Sequence, residues 1–387
     1  MSEEKKKKES KKGQIFSSII FILGGAASGI IIGKFVANTN FELTLTELIF
    51  YLFLLMLFIF LTMIFHIIIH EMGHLIFGLI SGYKFVSFRV GSLMLKKEKG
   101  KYVLKKFNIV GTAGQCLMRP DDNWNAYDYP YTLYNLGGVI VNIIASLIPL
   151  VLLFTFSNSF LFRAICFISF IVGIIFALNN AIPMKIGEVA NDGYNILALS
   201  KDKNARRAFY LQLYINALQT DGVRIKDMSK EYFEFSEDAD LSNTLIASIG
   251  AYKSDYLHDK MEFTKAKDNS LYLIENAPGL LGIHKNELAC ELLFYEMIGL
   301  CRQDEIDRLY TDELKKYIKS TMFYINRRRL TYTYEIFVNH DIKAAKRELE
   351  QFEKVAKTYP FPGIIESERE LIKFIDNLAI VKNVEMT

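Results

Sequence analysis

The sequence predicts an α-helical polytopic membrane protein, with about four transmembrane helices and a membrane-associated β-hairpin, followed by a C-terminal all-α soluble domain. Three observations lead there. The 387 residues are 51% hydrophobic and 23% charged, which is more apolar than a soluble chain of this length. The apolar residues gather into four long runs, all before Ser200. The formal charge of +3 also divides unevenly, with 18 Lys and Arg against 12 Asp and Glu up to Ser200, and 28 against 31 beyond it. A balance so near neutrality, with its basic excess among apolar runs, leaves no electrostatic footprint for nucleic acid.

Residues 15–37 follow a lysine-rich N-terminus (1–14) and are long enough to cross about 30 Å of hydrocarbon. A cleaved signal would have a shorter apolar core and a small-residue cleavage site, so this run is read as an uncleaved anchor. Runs 48–80, 132–156 and 160–182 supply the other spans. The link 83–131 carries nine Lys or Arg against four acids, whereas 38–46 and 157–159 carry no Lys or Arg. Positive charge stays on the cytoplasmic side, which places the link and both termini there and makes this a multi-pass protein of the cell membrane. Within the link, 83–95 and 101–110 are rich in Val, Phe, Tyr and Ile around Glu98-Lys99-Gly100, the pattern of a β-hairpin over 83–110. Gly91 is expected to mark a bulge or a close backbone approach.

The second run holds His66, His70, Glu71 and His74 as its ionisable groups. Ionisable residues inside a span are costly and by default functional. His70-Glu71-Met72-Gly73-His74 is H-E-x-x-H: on a helix the two imidazoles at i and i+4 share a face and can grip one Zn²⁺, while the intervening carboxylate reaches its water. His66 extends that face, but eight residues of helix separate it from His74 by about 12 Å, too far to share the ion. It is read as a packing or supporting residue. A catalytic zinc needs a third protein ligand, and Asn191-Asp192-Gly193, after Asn179-Asn180-Ala181-Ile182-Pro183 at the end of the fourth run, offers Asp192.

At this point the chain resembles the site-2 protease family of intramembrane zinc metalloproteases, over roughly residues 48–199. That family joins H-E-x-x-H in one helix to G-x-x-x-N in the next and N-x-x-P followed by D-G in a third. Here these are His70, Glu71 and His74; Gly138 and Asn142; and Asn180, Pro183, Asp192 and Gly193. Val139 stands where many members have Pro, and Asp192 lies nine positions after Pro183, a longer interval than usual. The resemblance implies metal ligands His70, His74 and Asp192 for one zinc ion, and Glu71 as general base in peptide-bond hydrolysis. Asn142 and Asn180 are candidates for orienting substrate or donating to the oxyanion, or for interhelical hydrogen bonds. Glu188-Val189-Ala190-Asn191-Asp192 also fits the E-x-x-x-D of CAAX-type membrane proteases, which would make Glu188 the ligand.

Substrates are expected to be membrane-spanning or membrane-associated proteins or peptides, unwound and added as a strand to the hairpin's edge. Residues 201–387 show helical periodicity at 288–300, 311–325 and 343–358. Phe294-Tyr295-Glu296-Met297-Ile298 and Thr333-Tyr334-Glu335-Ile336-Phe337 recur at an offset of 39, which suggests tetratricopeptide-like helix pairs that bind a cytoplasmic partner. A non-repetitive bundle fits equally. Arg327-Arg328-Arg329 is expected on a solvated face. Four cysteines without a C-x-x-C pair are expected to be free buried thiols. The reading from another class is a non-catalytic membrane scaffold acting through its helical tail.

Overall fold

The structure, a computed structural model, describes residues 44–382 apart from 99, 110–111, 156–159, 187–188 and 237–238, together with parts of 13–34. About half of the expected anchor at 15–37, most of the basic N-terminus and the whole turn at 157–159 fall outside the described residues. Among the described residues three helices are long and apolar enough to cross a membrane: α1 (Leu45–Ile80), α2 (Tyr131–Thr155) and α3 (Phe160–Ala181). A capping box between Thr44 and Glu47 starts α1. Large apolar side chains such as Met56 (71% exposed) and Phe154 (76%) face outward, a surface suited to lipid rather than water.

The chain forms two compact units. The first contains α1 to α3, strands β1 (Lys84–Val90) and β4 (Gly114–Arg119), the two-residue strands β5 (Lys185–Ile186) and β6 (Val189–Ala190), and helix α4 (Asp192–Lys201). The second contains β2 (Leu93–Glu98), β3 (Lys101–Lys106) and every helix from Lys203 onward.

In the first unit β1 pairs antiparallel with β4, with a bulge between Phe85 and Ser87. Tyr83 stacks on Tyr134 of α2 and meets Trp124 edge-on. Gly91 ends β1 at φ +56 and donates its N–H to the Ala113 carbonyl; the space around it is open, so conformational freedom is what the position needs. The first strand of the hairpin expected over 83–110 is divided at Gly91 into β1 and β2, and β2 and β3 form the hairpin, turned at Gly100 (φ +81).

That hairpin packs into the helical unit. Met94 and Phe107 lie in its core, and the Phe107 ring meets Tyr359 and Phe361 edge-on. Lys96 is fully buried; its ammonium donates to the carbonyls of Thr220 (3.1 Å) and Pro360 (2.6 Å) and faces Glu98. Residues 92–110 thus belong with 203–387 and not with the membrane domain drawn at 15–200, because the partners of their buried side chains are there.

The helices of this unit are α5 (Lys203–Thr220), α6 (Thr244–Asp259), α7 (Phe263–Asn276), α8 (Gly282–Ile298), α9 (Gln303–Leu309), α10 (Asp312–Ser320), α11 (Ile325–Tyr334), α12 (Ile342–Thr358) and α13 (Pro362–Val381). The helix expected over 311–325 stops at Ser320, where Thr321 turns its hydroxyl back to the Tyr317 carbonyl. The 39-residue offset matches Glu296, buried and paired with Arg302, to Glu335, half-buried at the start of a π-helical turn. Those two positions do not share an environment. Cys116, Cys166 and Cys290 are free and buried, and Cys301 is free and half-buried.

The arginine run is not a solvated face. Arg327 and Arg329 are fully buried, Arg327 paired with Glu287, and Arg329 held by Glu291 (2.6 Å) and Glu368 (2.7 Å). Spaced two apart on α11, they reach carboxylates on α8 and α13. Arg329→Met should cost about 3–5 kcal/mol in denaturant unfolding, because it strands two carboxylates in the core.

Nearby, burial aided by Arg329 and opposed by Glu291 holds His258 down to about 4. The unfolded imidazole takes its proton near 6.5, so this group's contribution is lost as pH falls from 6.5 toward 4. Relative to His258→Gln, the wild-type chain should lose up to about 3 kcal/mol across that window, measured by unfolding at several pH values.

Candidate metal centre

The backbones of α1 and α2 touch in the first unit. A Cβ on Gly73 of α1 would fall on the Gly137 carbonyl of α2, and one on Gly137 would fall on Gly73. Residues 70, 73 and 74 share one face of α1, so this contact presses both histidines of the motif against α2. The His70 ring fills the space above Gly138, where a Cβ would collide with it. His74 Nδ1 donates to the Tyr134 carbonyl at 2.7 Å. A carbonyl can only accept, so His74 carries a proton on Nδ1 and, as a neutral imidazole, presents the Nε2 lone pair.

Asp192 arrives from the other end of the chain. The nine-residue interval after Pro183 is taken up by the β5–β6 ribbon, in which Lys185 pairs with Ala190 and Ile186 with Val189. Asn191 then anchors the turn into α4: its oxygen accepts from the N–H groups of Met184 and Tyr194, and its amide donates to the carbonyls of Asn179 and Ile182. A Cβ on Gly193 would strike the Ala181 carbonyl, so glycine is required where α4 passes α3. Asp192 is the first residue of α4 and projects its carboxylate to the histidines, 3.1 Å from His70 Nε2 and 3.5 Å from His74 Nε2.

The donor atoms of His70, His74 and Asp192 lie within 4.8 Å of one another. His70 Nε2 and His74 Nε2 face each other at 3.1 Å, and Asp192 Oδ2 is buried without a hydrogen bond of normal geometry. Two imidazole nitrogens and a carboxylate oxygen converging on one point fit a divalent cation.

Glu71 is buried (8% exposed) beside this group. Strand β4 holds it: the Cys116 N–H donates to its carboxylate, and Gly114 lets the carboxyl lie against the strand, since a Cβ there would meet Glu71 Oε1. The Cys116 carbonyl accepts in turn from the Tyr134 hydroxyl at 2.9 Å, so α2 steadies the strand that steadies Glu71. Burial in the same place pushes the Cys116 thiol well above its usual range, which keeps it an inert neutral group.

Of the other candidates, Asn142 is fully buried, with one end of its amide at His66 Nδ1 (3.1 Å) and the other at His70 Nδ1 (3.2 Å). It is bonded across to α1, the interhelical hydrogen bond that was one of the two roles expected of it. Asn180 donates to the Phe176 carbonyl of its own helix. Glu188 lies outside the described residues. Sequence reasoning missed Asn191, although an Asn directly before Asp-Gly and an apolar run is a readable helix cap. It also missed Tyr134 and Cys116, which act through backbone atoms that no side-chain motif records.

Comparison with known proteins finds no matching family model, no similar curated protein and no similar solved structure. The cluster itself therefore carries the assignment of ligands. Asp192→Ala should abolish stoichiometric binding of added zinc to the purified chain, while Glu188→Ala should leave it intact; metal analysis after dialysis gives the comparison.

Proposed function

We propose that the chain is an intramembrane zinc metalloendopeptidase of site-2 protease type. The observation that carries this is the meeting of His70, His74 and Asp192 from distant parts of the sequence, with Glu71 held beside them. The donor set of two imidazoles and one carboxylate is that of a catalytic zinc with an open position. A bound zinc ion would supply Lewis-acid polarisation of a scissile carbonyl and of a water molecule. Glu71 takes the water's proton and passes it to the departing amine, and the Cys116 N–H keeps the carboxylate turned for both steps. A metal site whose base has been kept, buried and oriented argues against the vestigial site of a scaffold.

The surrounding helices α1 to α3 are read as membrane spans, with both termini cytoplasmic by the distribution of Lys and Arg. Substrates are then membrane-spanning or membrane-associated peptides. Helical carbonyls are engaged in backbone bonds, so a substrate must be extended before it is cut. Strand β4 is a sheet edge and holds Glu71, which makes it the strand onto which an unwound segment would add, in place of the hairpin expected from the sequence. The helical unit binds a protein partner in this reading, and nucleic acid has no part in it.

Glu71→Gln is expected to bind zinc as the wild type does and to lose about 10²–10⁴ in cleavage rate of a membrane-embedded reporter peptide. Cleavage at the wild-type rate by that variant would overturn the proposal.

A further inference from the structure

The two ligand histidines are set in different ways. His74 Nδ1 faces a backbone carbonyl, which fixes its tautomer outright. His70 Nδ1 faces the side-chain amide of Asn142, which can either accept or donate. If the amide donates, the His70 proton sits on Nε2 and blocks the lone pair a metal needs. Something must decide which end of the amide turns to His70.

The group at the other end is His66, 2% exposed and seated one turn before His70. Its Nδ1 meets the Asn142 amide at 3.1 Å. Its remaining edge faces the turn of α3 at 169–173: the ring accounts for the space a Gly173 Cβ would fill, at Cε1 and Nε2, and it hydrogen-bonds the Ser169 backbone carbonyl. Phe176 stacks on the ring and Phe65 meets it edge-on, so it has no room to turn over. A carbonyl can only accept, so the His66 proton is on Nε2 and its Nδ1 is bare. Donating from both nitrogens would need a charged imidazole in an apolar helix.

We propose, resting on the metal-centre reading above, that His66 is a positioning residue for the metal: through Asn142 it sets the His70 tautomer that leaves Nε2 free to bind. A bare His66 Nδ1 draws the NH₂ end of Asn142, the amide oxygen then faces His70, and His70 must carry its proton on Nδ1. The structure carries the amide with Oδ1 toward His66 and Nδ2 toward His70; a half-turn about its terminal torsion exchanges the two without moving another residue. Oxygen and nitrogen of an amide are distinguished by such partners. Ser146 donates to the Asn142 backbone carbonyl at 2.6 Å, which holds that turn of α2 in place.

The test is zinc titration of the purified full-length chain against a chromogenic chelator, with imidazole ¹⁵N shifts of the metal-free protein as a second readout. Asn142→Leu should weaken zinc binding about 10–100-fold, and His66→Phe, which keeps the ring, by about tenfold. An aspartate at 142 can only accept from His70, but its second oxygen would meet the bare His66 Nδ1, so it is tested without that ring. The double variant His66→Phe/Asn142→Asp should bind as wild type, because the aspartate makes His66 unnecessary; a packing role for His66 would not be rescued this way. Undiminished binding by His66→Phe, or a double variant as weak as His66→Phe, would overturn the inference, as would a metal-free His70 with its proton on Nε2. A folded wild-type chain that binds no zinc, with His70 protonated on Nδ1, would instead remove the metal-centre reading.

Discussion

The site depends on a contact in which no side chain takes part. Gly73 and Gly137 let α1 and α2 approach until backbone meets backbone, and the positions one turn to either side inherit their neighbours from that approach. His70 lies over Gly138 because α2 has no Cβ there, and His74 reaches a backbone carbonyl because the helices are close enough for an imidazole to bridge them. Between apolar helices in lipid there is no hydrophobic drive to association, so close packing and interhelical hydrogen bonds must hold the pair. At this contact they coincide with the candidate metal ligands, so assembly of the helices and preorganisation of the site are one event.

What was legible in the sequence was whatever a period or a spacing can express. Three helices long and apolar enough to cross a membrane, the i, i+4 histidines and Asp192 at the end of a long loop follow from helix geometry and from the cost of ionisable groups among apolar ones. The hairpin was half legible. Alternation identified the strands, but register and partner are settled by where buried side chains find company, and Lys96 finds it at Thr220 and Pro360, more than a hundred residues on. The arginine run failed for a related reason. Three consecutive charges look solvated when counted along the chain, while on α11 the first and third turn inward to carboxylates that only the tertiary fold delivers.

The same distinction separates the two shells of the site. Ligands must be particular residue types at particular separations, so a motif records them. Their supports act through whichever hydrogen-bonding atom lies nearest: a carbonyl of Tyr134, an N–H of Cys116, the amide of Asn191. Backbone atoms belong to every residue, so nothing in the one-letter string distinguishes these positions. Asn191 is the intermediate case, a side chain whose capping role is visible locally but whose two bonds back to Asn179 and Ile182 are not.

The Asn191 bonds also explain how a lengthened connection can still deliver a ligand. Extra residues between Pro183 and Asp192 would let the carboxylate wander if they were free loop, and ordering them would cost entropy. Folded back as the β5–β6 ribbon, they leave Met184 and Asn191 adjacent, joined by the Asn191 backbone N–H to the Met184 carbonyl as well as by the side-chain bond. The distance along the chain is thereby made irrelevant to the distance in space. Asp192 is then placed by helix α4 and the end of α3, the two elements that Asn191 ties together, and the interval that sets this chain apart from the usual motif lies outside the part of the structure that aims the ligand.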